Sequence, residues 1–154
     1  LGGPVLAWAY KAVNTLDSMV GHRNERFMEF GRASAKADGL LNFIPAKITC
    51  VFISASSWLY GKNWSGSVKW WSRFFFKGQQ DNSTVAEAAM AGALDVRLGG
   101  LNFYNSVPVS KQLIGDGTRA LEIKHIRDSV RIVYLCSFLF LLAGICLFNL
   151  MERR

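Results

Sequence analysis

From Ile132 to Met151 the chain reads IVYLCSFLFLLAGICLFNLM, 20 residues without a charged side chain. As a helix rising about 1.5 Å per residue, this run is about 30 Å long, the thickness of a bilayer's hydrocarbon core. Its apolar character extends around every face, whereas a helix on the surface of a water-soluble domain keeps one polar side. Arg127 and Arg131 precede the run and Arg153 and Arg154 follow it, where long cationic side chains reach lipid headgroups. The run predicts a membrane-spanning helix.

The remainder fits that environment. The chain has 154 residues, 51% hydrophobic and only 19% charged. That length suffices for one domain, and the expectation is a single all-α, polytopic membrane domain over residues 1–154. Helical membrane or partly buried segments are expected at 4–20, 40–60 and 132–151, with a polar connecting region over 61–131. Pro45 is expected to interrupt or start a helix. That leaves 13 uncharged residues from Ile48 to Tyr60, which favours partial burial or a re-entrant path over a full crossing. The opening LGGPV has no initiator Met and no signal-peptide pattern, so the chain reads as the later part of a longer protein.

The formal charge of +7 points to anionic partners, either phosphate-bearing ligands or a lipid surface. The apolar content argues against nucleic acid. Cys50, Cys136 and Cys146 sit in apolar runs without CxxC spacing and read as small hydrophobes. His22 and His125 have no ligand spacing that would suggest zinc, and no Walker loop occurs.

Between Gly39 and Gln80 there is no acidic residue, yet Lys47, Lys62, Lys69, Arg73 and Lys77 are present. In SVKWWSRFFFK the cations Lys69, Arg73 and Lys77 recur every four residues, and Trp70, Trp71, Phe74 and Phe75 fall on the other side. The pattern predicts an amphipathic helix lying in the membrane interface. The alternative is that these cations bind an anionic substrate, but such a site would need its cations converging on one point with acidic metal ligands nearby. Residues 83–98 read as a small-residue helix, in which Ala88 with Gly92 and Ala89 with Ala93 permit close helix contact. GGLNFYNSVPVS reads as a turn-rich connector, Asp116 in GDG as a turn residue, and a last helix is expected from about Thr118.

The stretch AYKAVNTLDSMVGHRNERFMEFG carries an unusual polar load for an apolar setting. On a helix Lys11, Asn14, Thr15 and Ser18 form one stripe, which His22, Glu25, Arg26 and Glu29 continue if the helix passes Gly21. Asp17 falls to one side. A solvated face is the bland alternative, but the i,i+4 pairs His22–Arg26 and Glu25–Glu29 are not attractive couples. Ionisable groups on an apolar membrane helix are functional candidates.

These residues carry a resemblance. YKAVNTLDSMVGHRNERFMEFG, followed by ASAKADGLLNFIPAKIT, EAAMAGALDVRLGG and IGDG, resembles the adenosylcobinamide-phosphate synthase family of cobalamin biosynthesis, in its C-terminal part. The resemblance implies a prokaryotic, multi-pass cell-membrane enzyme. It would be a C–N ligase joining aminopropanol phosphate or ethanolamine phosphate to the corrinoid adenosylcobyric acid, consuming ATP and requiring Mg²⁺. That chemistry needs cations for phosphates, carboxylates for Mg²⁺ and a base for the ammonium. The resemblance implies catalytic roles for Asp17, Glu25 and Asp38, the first two also as Mg²⁺ ligands. Substrate or phosphate contacts are implied for Lys11, Asn14, Ser18, Arg23, Asn24, Arg26, Asn42, Lys47, Asn82 and Glu87. The chain departs from the family pattern with His22 in place of a tyrosine, Gly39 in place of an acid and Lys47 in place of an arginine. QDNSTVA stands where an SPN-type run is usual, with Asn82 its surviving member. Glu87 also fits a capping box opened by Thr84. A non-catalytic membrane regulator or scaffold on the same fold, and a transport component, are the competing readings.

Overall fold

The computed structural model describes residues 3–20, 28–75, 82–104, 107–117 and 121–153. The element order is α1 (Gly3–Val20), α2 (Met28–Leu59), α3 (Trp64–Phe75), α4 (Asn82–Leu94), β1 (Leu98–Tyr104), β2 (Val107–Ile114) and α5 (Ile123–Glu152). Two compact units divide the chain, Leu1–Pro45 and Ala46–Arg154. The chain is predominantly helical, as expected.

In the first unit α1 meets the N-terminal part of α2. Val13, Asn14 and Asp17 are its partly buried positions, while Lys11, Thr15 and Ser18 are exposed. The inward side is thus rotated away from the stripe read from the sequence. On α2, Gly31, Ser34, Asp38 and Asn42 recur three or four residues apart as its less exposed side, which helical periodicity requires of one packed face.

Pro45 neither starts nor interrupts α2; it lies inside a helix of 32 residues. Proline forfeits one backbone hydrogen bond there, a loss that apolar helices tolerate when neighbouring groups compensate. The partial-burial expectation for residues 40–60 rested on a helix starting near Pro45. Because α2 begins at Met28, the stretch Gly31–Leu59 is long and apolar enough to cross a membrane, as is Ile123–Glu152.

The core of the second unit gathers Cys50 and Ile53 of α2, Phe74 of α3, Val85, Ala88, Ala89, Ala91 and Ala93 of α4, with Val96, Ile114 and Ile132. The small residues of α4 let α3 approach closely, as their spacing predicted. A Cβ built on Gly66 would lie 2.6 Å from the Gly92 carbonyl oxygen. Here α3 departs from the interfacial reading. Phe74 is buried, Trp70 and Trp71 pack on the core, and Trp71 Nε1 donates to Ser54 Oγ of α2 at 3.2 Å. The aromatic face is covered by protein, so the amphipathic pattern records a core contact among the described residues. Lys77 lies outside them.

The segment read as a connector forms an antiparallel hairpin, pairing Gly100 with Lys111 and Tyr104 with Val107, with an irregularity between Leu98 and Gly100. Gly99 takes φ 92° at that irregularity, a conformation that favours glycine. Pro108 is compatible with a strand because a two-stranded sheet consists of edges. The last helix starts at Ile123 rather than near Thr118. Glu122 caps it, its side chain accepting from the His125 backbone N–H, while its own N–H donates to His125 Nδ1 at 3.0 Å. That bond leaves Nδ1 as an acceptor and gives the buried His125 a capping role.

Candidate functional site

In the first unit four polar side chains form a chain of hydrogen bonds aimed at one carboxylate. Tyr10 Oη donates to Asn42 Oδ1 at 2.6 Å, and Asn42 Nδ2 donates to Asp38 Oδ2 at 2.9 Å. From α1, Asn14 Nδ2 donates to Asp38 Oδ1 at 3.2 Å. Asn42 follows Asp38 by one helical turn, and Tyr10 precedes Asn14 by one, so helical spacing puts each pair on a common side. Both Asp38 oxygens are engaged by neutral amides, and no ion pair to Asp38 forms among the described residues. An ionisable side chain on an apolar helix is costly to keep there without a functional partner, which makes Asp38 a candidate for binding.

This cluster joins Asn14, Asp38 and Asn42, three of the residues singled out from the sequence, and adds Tyr10, which sequence reasoning passed over. Its signal was the Tyr10–Asn14 spacing of one turn. Asp17 lies three residues beyond Asn14 and is partly buried. Ser18 spends its hydroxyl on its own helix, donating to the Asn14 carbonyl at 2.9 Å, and Lys11 is exposed. Arg23, Asn24, Glu25 and Arg26 lie outside the described residues, as does the continuation of the stripe past Gly21.

The other candidates belong to the second unit. Lys47 is partly buried with Nζ 4.9 Å from the centre of the Phe75 ring, a cation–π contact. Asn82 is the first residue of α4, and Glu87 is exposed on it. The capping box from Thr84 does not form, because α4 already begins at Asn82 and Thr84 lies inside it.

That unit also holds a cleft of about 460 Å³ lined by Asn63, Ser65, Gly66, Lys69, Asp95 and Asp116, among others. Asn63 caps α3, its Oδ1 accepting from the Gly66 N–H at 2.8 Å, while its Nδ2 donates to Asp95 Oδ1 at 2.6 Å. Asp95 ends α4 in the left-handed region with φ 53°, followed by a Val96 N–H to Ala91 carbonyl bond of 3.1 Å. This is the αL helix stop, at a residue type that tolerates it. Lys69 Nζ donates to Asp116 Oδ2. Lys69 therefore faces an acid 47 positions away in sequence, and Asp116 does more than shape a turn. The absence of acids between Gly39 and Gln80 did not predict an absence of acids around Lys69.

The Lys69 hydrogen bond holds the Asp116 carboxyl below its ordinary 3.8. The unfolded chain then takes up that proton more readily than the folded one, so the clasp contributes fully at neutral pH and is lost as pH falls below about 3.8. Both side chains are more than half exposed, so the effect is small and salt-sensitive. Trp70 lines the same cleft. Its fluorescence should titrate in acid, and Asp116→Asn should remove that transition; an unchanged transition would place its origin elsewhere.

The family model for the CobD/Cbib protein matches residues 1–133. The chain is 46% identical over 134 residues to the cobalamin biosynthesis protein CobD of Geobacter metallireducens, covering 87% of this chain and 42% of that protein. Against the CobD protein of Clostridium perfringens identity is 40% over 152 residues, covering 99% and 48%. For that of Streptococcus sanguinis it is 38% over 150 residues, covering 97% and 46%. The chain thus spans about half the length of these curated relatives. No solved structure matches it. With a family match over most of its residues and this identity to several relatives, the chain belongs to the CobD/Cbib family of cobalamin biosynthesis proteins.

Proposed function

We propose that this chain forms part of a membrane-bound C–N ligase of cobalamin biosynthesis. In this reading the enzyme joins an amino-alcohol phosphate to the carboxyl of adenosylcobyric acid at the expense of ATP. The observation that carries the reading is the Asp38 carboxylate, held by the neutral amides of Asn14 and Asn42 and in no ion pair among the described residues. An ammonium group is the complement it lacks, and charge-assisted contacts of this kind are about twice as strong as neutral ones. Asp38 binds the protonated amine and accepts the proton released before nitrogen attacks the activated carboxyl carbon. Asn14 and Asn42 fix the carboxylate's orientation.

ATP would supply the phosphoryl group that activates the carboxyl as an acyl phosphate, leaving ADP, and attack by the amine would then break the acyl–phosphate bond and release inorganic phosphate. Mg²⁺ favours hard oxygen donors and is held by one or two carboxylates together with substrate phosphates and water. Asp17, on the partly buried side of α1 with Asn14, suits that donor set, and Glu25 is its proposed partner. Arg23 and Arg26 are proposed to take the phosphates, with Lys11, Ser18 and Asn24 secondary. The two long apolar helices support placement in the cell membrane.

In the full-length protein, Asp38→Asn should leave membrane abundance unchanged and lower kcat/KM for the amino-alcohol phosphate by roughly 10- to 100-fold. That is the loss of one charged hydrogen bond worth about 1.5–3 kcal/mol. Asn42→Ala should cost less. Wild-type activity with Asp38→Asn would instead favour a non-catalytic scaffold on this fold.

A further inference from the structure

We propose that Tyr60, Lys62, Asp128 and Arg131 form a binding site for the phosphate of an anionic phospholipid. Tyr60 Oη donates to Asp128 Oδ1 at 3.1 Å, and Lys62 Nζ donates to Asp128 Oδ2 at 2.5 Å. Arg131 Nη1 donates to Tyr60 Oη at 2.6 Å. Lys62 and Arg131 also stand 5.3 and 6.0 Å from the centre of the Tyr60 ring. Lys62 pairs with Asp128 while Arg131 donates to the neutral Tyr60 hydroxyl, so the cluster carries one excess positive charge. Arg131 has five N–H donors and Lys62 three, and the described contacts use one of each.

Position selects the lipid. Tyr60 directly follows α2, and Arg131 directly precedes the uncharged run from Ile132 to Met151. Phe52 and Phe140 meet at 5.5 Å between ring centres. They lie eight residues before Tyr60 and nine after Arg131, so α2 and α5 leave the cluster in the same direction. Both apolar helices therefore begin their apolar course at this level. On α5, Lys124, Arg127 and Arg131 share one side of the helix and are exposed. A net-positive cluster at the joint boundary of two apolar helices complements an anionic headgroup.

The proposal rests on the membrane reading, so the test separates the two. The intact chain, purified in nonionic detergent, is titrated with phosphatidylglycerol and with phosphatidylcholine under native mass spectrometry. Phosphatidylglycerol should bind at least about tenfold more tightly, a preference that falls as salt rises. Arg131→Gln should abolish the preference and Arg131→Lys should keep most of it. Should Arg131→Gln fail to fold, Lys62→Gln takes its place. Equal binding of the two lipids, or an unchanged preference in the Gln variant, would overturn the site and reduce the cluster to a helix clamp. Displacement of phosphatidylglycerol by millimolar inorganic phosphate would also overturn it, by making a soluble phosphate the ligand. Release of the chain from membranes by alkaline carbonate would sink the membrane reading itself.

Discussion

Gly92→Val should prevent the second unit from folding. Gly92 and Gly66 are the point where α4 and α3 touch, and a Cβ at position 92 would strike the Gly66 carbonyl and the Ser67 backbone nitrogen. Those atoms are backbone, so no flexible side chain can move aside. Overpacking a core ordinarily costs about 1–3 kcal/mol, and here two helices must separate. Separation would also open the contacts of Ala88, Ala89 and Phe74, all buried, and pull Asn63 from Asp95. The expected loss exceeds about 3 kcal/mol, a large share of the roughly 5–15 kcal/mol available to a domain. Limited proteolysis in detergent should show cleavage within α3 and α4 in the variant and protection of both helices in the wild type. Gly39→Ala is the matched control, since nothing lies within 4 Å of a Cβ there. A mid-helix Gly→Ala change in open space should stabilise by about 0.5–1 kcal/mol. Equal protection of both variants would show that the glycine contact does not hold the pair together.

Leu141→Arg should sharply weaken the membrane insertion of α5. Leu141 lies near the middle of the uncharged run and is 59% exposed, with Phe138, Phe140, Leu142 and Ile145 exposed around it. A helix that presents this many large apolar side chains outward requires lipid or another apolar surface. An arginine at the centre of a spanning helix costs about 2.5–3.5 kcal/mol on the insertion scale, which lowers insertion by roughly 100-fold. Adding Leu142→Arg should abolish the protection of α5 from protease in intact vesicles. Leu113→Arg, on the exposed strand β2, should leave it unchanged. If α5 carrying Leu141→Arg stays as protected as in the wild type, it packs against protein instead.

The uncharged run at 132–151, the predominance of helix and the small-residue face of α4 follow from composition and periodicity alone. Each is a property of near neighbours along the chain: length against bilayer thickness, or spacing of three and four on a helix. The residues YKAVNTLDSMVG and N-F-I-P-A likewise carried the family, which the comparisons show. What periodicity could not supply was the partner of each face. The aromatic side of α3 has the pattern expected of an interfacial helix, but α2 and α4 cover it. Of the α1 stripe Lys11, Asn14, Thr15 and Ser18, three turn outward and Asn14 alone reaches α2, with Tyr10, because Asp38 and Asn42 supply matching hydrogen-bond groups there. The hairpin was hidden by Gly99, Gly100 and Pro108, residues that weaken a strand pattern and are accommodated here by an irregular register and an open edge.

Helical spacing in the sequence determined which residues share a side, and the apolar run determined the environment the chain is built for. Only the tertiary structure decided which charges meet. Lys69 finds Asp116 across 47 residues and Tyr60 finds Asp128 across 68. Asp38 receives Asn14 across 24. Hydrogen bonds fail beyond about 3.5 Å and charge interactions weaken as the inverse of distance, so both depend on distance in space, of which sequence separation carries no record.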